Sequence, residues 1–136
     1  MEGMQGFMRR HGGKLDPART TVLCLECVGS PMLTLVEAEG MLRMRPYSEL
    51  ARTRLAAAAA AAGVDLERGL RTVLATDALI ALRRGYDAVT LASVDASKFP
   101  SNYHWSSDIA ENLDWATMER AFAVTDRFVR AGALPQ

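Results

Sequence analysis

Three residues have the type and spacing to do chemistry together: Glu26, Asp77 and His104. Glu26 lies near the end of the nearly continuous apolar run Thr-Thr-Val-Leu-Cys-Leu-Glu-Cys-Val of residues 20–28, and a carboxylate buried there needs a partner or a metal, because desolvating it alone costs several kcal/mol. Asp77 directly follows a second apolar stretch, and His104 lies in a polar loop after a third. In α/β sheets ligand sites collect at the carboxyl ends of strands. An acid and an imidazole brought together there are a candidate pair of zinc ligands. The spacing leaves other readings open: Glu26 paired with an arginine at a strand end, Asp77 as a helix cap, His104 as a loop histidine.

Two other arrangements compete. Cys24-Leu25-Glu26-Cys27 is formally C-x-x-C. A redox pair needs a loop-to-helix turn that brings the sulfurs together and lowers one thiol pKa. Embedded in a strand, residues three apart point to opposite faces, so buried structural cysteines are expected. Ser106, Ser107 and Asp108 beside His104 invite comparison with a catalytic triad, but triad members converge from distant segments rather than one loop.

The elements that must position these residues alternate between two periodicities. Residues 3–11 carry Met4, Phe7 and Met8 at helical spacing and end at Gly12-Gly13. Residues 20–28 and 32–37 read as strands separated by Gly29-Ser30-Pro31. Residues 40–45 carry no clear pattern. Ser48 is placed to cap a helix that runs through seven alanines after Leu55 and stops at Gly63. Residues 70–75 predict a strand, followed by a short helix from Asp77 whose last turn carries Arg83 and Arg84, suited to the helix dipole. Residues 88–93 predict another strand. Asp114 is placed to cap a final helix whose core face would be Trp115, Met118, Phe122, Thr125 and Val129. Strands alternating with helices predict an α/β fold, three-layered, with a mixed, mostly parallel sheet.

With 16 basic and 16 acidic residues among 136, the net charge is zero, which gives no electrostatic reason to expect nucleic acid or an anionic membrane as partner. A hydrophobic content of 49% supports a core of useful size. No apolar run reaches the roughly 20 residues that span a bilayer. Residues 1–14 are polar where a signal peptide would be apolar, so the expected location is cytoplasmic. Walker, G-x-G-x-x-G and G-x-S-x-G motifs are absent from the sequence.

Four segments, in order, resemble the family-28 metallopeptidases, the zinc aminopeptidases and glutamate-carboxypeptidase-like enzymes. Leu25-Glu26-Cys27-Val28-Gly29 resembles the family's L-D-x-x-G at a strand end. The stretch from Thr76-Asp77-Ala78 to Gly85-Tyr86-Asp87-Ala88-Val89-Thr90-Leu91 resembles S-D-H-x-x-F-x-x-x-G-x-P-A-x-x-L. Tyr103-His104-Trp105-Ser106-Ser107-Asp108 resembles Y-H-T-x-x-D, and Asn112-Leu113-Asp114 resembles the E-N-I/L-D that follows it. The match spans residues 3–131.

The resemblance implies a zinc exopeptidase, in which a metal ion polarises the scissile carbonyl and activates water. His104 falls on the family's last zinc-ligand histidine, and Glu26 on a carboxylate ligand that is normally Asp. Asp77 falls on an acid supporting the site from behind, with Ala78 where His is usual. Tyr103 and Trp105 flank the ligand and would line the substrate pocket for a terminal peptide. The family holds two zinc ions with further upstream residues, a His, a bridging Asp and a Glu-Glu pair that supplies the general base. No counterpart occurs in residues 1–136. The chain therefore reads as a single partial domain, the C-terminal portion of a catalytic domain truncated at its N-terminus, inactive alone and prone to self-association through an exposed sheet edge. Glutaminyl cyclase shares the scaffold with one zinc, and Gly29-Ser30-Pro31 suits its G-x-P. A non-catalytic structural or interaction remnant is the third reading.

Overall fold

In the computed structural model, which describes residues 1–133, four α-helices and five strands run in near alternation. They are α1 (Glu2–His11), β1 (Thr21–Glu26), β2 (Met32–Glu39), β3 (Arg45–Pro46), α2 (Glu49–Ala61), β4 (Glu67–Thr72), α3 (Asp77–Arg83), β5 (Asp87–Val94) and α4 (Trp115–Ala133). The fold class is α/β, as expected.

The sheet is mixed. β1 pairs with β5 in parallel, β2 with β5 antiparallel, and β2 with β4 in parallel. The short β3 pairs antiparallel with the end of β2, on the edge that β5 has vacated. The order β1-β5-β2-β4 leaves β1 and β4 at the two rims. Both inner strands show the burial expected of strands covered on two faces: all of β5 except Asp87 is buried, and so is most of β2. β1 has the same apolar composition but none of its residues is fully buried.

Strand alternation sorts the core into two layers. Leu23, Leu33, Leu35, Val89 and Leu91 project to one face, where they meet Ala51, Leu55, Ala58 and Ala59 of α2 and Ala121 and Val124 of α4. Val22, Cys24, Val36, Ala88 and Ala92 project to the other, against Met8 of α1 and Ala78 and Ala81 of α3. The alanine tract is what lets α2 lie close: Ala58 and Ala59 are buried with no side chain beyond Cβ to hold the helix off the sheet.

Local signals account for most of the boundaries. The Ser48 hydroxyl accepts the Ala51 N–H at 3.1 Å, and α2 closes with Gly63 at φ +67°. Asp114 Oδ1 accepts the Thr117 N–H at 2.8 Å and starts α4. The cap of α3 is Thr76, whose hydroxyl accepts the Ala78 N–H at 3.2 Å, so Asp77 is the first helical residue and not the cap. β4 lies three residues earlier than the expected 70–75. The unpatterned stretch 40–45 is a turn that begins at Gly40, φ +141°, and feeds β3.

The expected core face of α4 is corrected. Trp115, Phe122 and Val129 are 57%, 75% and 59% exposed, while Thr117, Ala121 and Val124 are buried. Both sets obey helical spacing. Large apolar residues marked one stripe, but the gap beside α2 accepts only the small ones.

Candidate functional site

The carboxyl ends of β1 and β5 lie side by side, because the two strands are parallel neighbours in register from Thr21↔Asp87 to Glu26↔Ala92. Two loops leave from this end, 27–31 after β1 and 95–114 after β5. Ser93 ties them. Its buried hydroxyl donates to the Cys27 carbonyl and accepts the Ser30 N–H at 2.6 Å. The Ser30 hydroxyl in turn accepts the Ser101 N–H at 2.9 Å, and the Asp114 N–H reaches the Gly29 carbonyl at 2.8 Å. The loop bearing Glu26's neighbours and the loop bearing His104 are thus fastened at both ends.

The backbone here is strained. The non-glycine residues at positive φ among those described are Cys27, Lys98, Asn102 and His104, at +49°, +64°, +59° and +61°, and all four lie in these two loops. Each such conformation costs on the order of 1 kcal/mol and persists where surrounding contacts impose it. Asn102 is held by the Ser107 hydroxyl at 2.8 Å, and Ser107 by the Asn112 amide at 2.9 Å. Lys98 closes a turn in which the Asp95 carboxylate accepts from the Ser97 hydroxyl and N–H, contacts that hold its pKa below the usual range.

Glu26 is half-buried at the tip of β1, and its Oε1 accepts the Cys27 S–H at 3.2 Å. Burial first, and then the hydrogen bond to Glu26 and the charges of Glu26 and Asp108, push the Cys27 thiol up to about 12. Cys24 is raised as well, by burial above all, against the lowering contacts from Thr76, Ala78 and Asp77. Neither cysteine is therefore an activated nucleophile or a thiolate at neutral pH. Glu26 and the Thr76–Asp77 start of α3 flank Cys24, and Asp108 lies on the side of Cys27. Asp77 is half exposed and meets the Met1 ammonium at 3.4 Å.

His104 is exposed and its ring stacks on Tyr103, with centroids 4.0 Å apart and planes at 15°. Tyr103 also receives the edge of Phe99 at 5.7 Å. Trp105 is 74% exposed, which leaves its indole free for a ligand. The structure thus sets Glu26 at the end of β1 and the start of α3, which bears Asp77, on either side of Cys24, and carries His104, Tyr103 and Trp105 on the loop after β5. Among the described residues, no group of three or more His, Cys, Asp or Glu side chains is placed to hold a metal ion. The donor set present does not complete a resident zinc site.

Sequence reasoning missed two contributors. Ser93 looks like any small strand residue, and only its register beside β1 makes it the tie between the loops. Glu39, at the end of β2, is fully buried and accepts the Thr76 N–H at 3.2 Å and the Thr76 hydroxyl at 3.1 Å. Thr76 meets Thr90 at 3.1 Å, and Thr90 meets the Tyr47 hydroxyl at 2.7 Å. Burial, only partly offset by these donors, raises the Glu39 pKa. This network seats the first turn of α3, and with it Asp77. A carboxylate at the end of an alternating strand was the available signal.

No curated protein and no solved structure matches the chain. The sequence model of Peptidase family M28 does, over residues 6–129, which takes in both strand ends, both loops and the start of α3. By that match over most of its length, in a mixed α/β sheet with the quoted motifs at its strand ends, the chain belongs to peptidase family M28.

Proposed function

We propose that this chain forms the C-terminal portion of an aminopeptidase-type exopeptidase domain, to which Glu26 and His104 contribute two metal donors and Asp77 a supporting carboxylate. The observation that carries the reading is the fastening of the 27–31 and 95–114 loops through Ser93 and Ser30, with the strained residues confined to them. Such strain is retained where a site must be preorganised.

Zinc in a completed site would polarise the scissile carbonyl and activate water. The chain's own residues have other tasks. The Tyr103–His104 stack and the exposed Trp105 offer an apolar wall for the terminal residue of a peptide. Cys27 occupies one oxygen of Glu26 and leaves the other free. Glu39 and Thr76 fix the backbone from which Asp77 projects. The remaining donors and the general base have no counterpart here, so the isolated 136 residues are expected to be inactive.

The test is hydrolysis of aminoacyl-anilide and dipeptide substrates, with zinc and with a chelator, by the purified chain and by a protein that joins it to an upstream family-28 ligand segment. Turnover only in the joined protein, lost in His104→Ala, is the expected result. Chelator-sensitive turnover by the 136 residues alone sinks the inactive-portion reading. A non-catalytic remnant is the second reading, favoured by the exposure of His104 and by Glu at position 26. An inactive joined protein that also shows no tight zinc site by calorimetry would establish it.

A further inference from the structure

Among the described residues, one side-chain nitrogen is buried with no hydrogen-bond partner: Nε of Arg52, the fourth residue of α2. Arg52 also has no carboxylate within ion-pair distance there. Its charge is therefore met by no counter-ion of the fold and, at Nε, by no water. Such groups are few in native proteins, so each calls for a physical reason.

An irregularity in the sheet sets a second guanidinium beside it. Between the pairs Thr34↔Glu67 and Val36↔Leu70, β4 carries one residue more than β2. A bulge of this kind bends the strand and redirects a side chain, and bulges gather at sheet edges and next to functional sites. Gly69 takes the bend at φ +83°, and its N–H donates to Glu37 Oε1 at 3.3 Å. Arg68 Nε stands 3.7 Å from the same oxygen, which is an ion pair too long to be a hydrogen bond.

Arg52 and Arg68 line one cleft of about 220 Å³ with Glu49, Thr53 and Ala56. Clefts that take drug-sized ligands hold about 300–1,000 Å³, so this one suits a ligand of few heavy atoms. Glu49 in the cleft and Glu37 beside it balance the two arginines. A balanced set provides no long-range field to gather a polyanion. What it favours is a small monoanion that meets both guanidinium groups at short range.

We propose that this cleft binds a small carboxylate, which supplies Arg52 with its counter-charge and is shared with Arg68. Planar guanidinium forks match a carboxylate with two parallel charge-assisted bonds. Glu49 stands against a second negative charge on the ligand, so a phosphate dianion binds more weakly. This inference does not rest on the peptidase reading.

The test is a titration of the full chain with sodium acetate, and separately with inorganic phosphate, at fixed ionic strength, followed by amide and arginine side-chain NMR. Saturable acetate shifts confined to residues 49–56 and 67–69 are expected, with a dissociation constant in the millimolar range, within reach of a ligand of four heavy atoms. Arg52→Gln and Arg68→Gln should each weaken acetate at least tenfold at unchanged circular dichroism. Arg52→Lys keeps the charge but loses the fork, and should weaken it at least threefold. Arg83→Gln, an exposed site on α3 in the other layer, should leave it unaltered. Glu49→Gln should tighten phosphate more than acetate. The proposal is overturned if acetate up to about 100 mM gives no saturable shift, or if the shifts survive both glutamine variants. Phosphate binding tighter than acetate to the unaltered chain overturns it as well.

Discussion

At the scale of single residues, two buried polar groups organise the candidate site. The Ser93 hydroxyl both donates and accepts, so Ser93→Ala strands the Ser30 N–H and the Cys27 carbonyl together. Loss of a satisfied buried partner costs about 1–3 kcal/mol, and urea denaturation should show a loss of that size. Glu39 makes stability depend on pH. Its folded pKa is raised, so the folded state binds more protons than the unfolded one above the ordinary carboxylate value. Stability should therefore be highest at mildly acidic pH and fall as pH rises through the raised value. Glu39→Gln should flatten that slope, while keeping an acceptor for Thr76. Urea midpoints measured from pH 4.5 to 8 check both the sign and its removal. Glu26, Asp77 and His104 were legible as chemistry-bearing types at strand ends. Ser93 was not, because a serine in a strand carries no sign of which carbonyl lies across from it.

At the scale of elements, capping and turn chemistry decided boundaries, and packing space decided faces. α4 shows the distinction. Phe122 and Val124 are both apolar at helical positions, but only Val124 is buried. Val124→Ala should cost about 2 kcal/mol, whereas Phe122→Ser should change the stability of the monomer by less than about 0.5 kcal/mol, the range for surface substitutions. Thermal melts at low concentration measure the contrast. Gly40 governs the turn between β2 and β3: a Cβ there would stand 2.3 Å from the Arg43 carbonyl oxygen, at φ +141°. Gly40→Ala should therefore destabilise by more than about 1 kcal/mol, read in the same experiment.

At the scale of the whole molecule, protection should follow depth in the sheet. β2 and β5 are flanked on both sides and covered on both faces, so their amides should exchange only through global unfolding. β1 and β4, each with one open edge, should exchange faster in the monomer. Equal protection of all four strands in dilute monomer would contradict this layering.

Composition and periodicity by themselves determined the α/β class, most of the longer helical and strand segments, and the caps at Ser48 and Asp114, while the four ordered motifs carried the resemblance to family 28. These are local properties, written in side-chain type and spacing, and they survive without knowledge of what lies across the sheet. The tertiary structure alone decided the pairing of β1 with β5, the tie through Ser93, the burial of Glu39 beneath α3, and the face that α4 turns inward. Each of those depends on contact between residues tens of positions apart, and on the volume left between elements, neither of which any local pattern encodes.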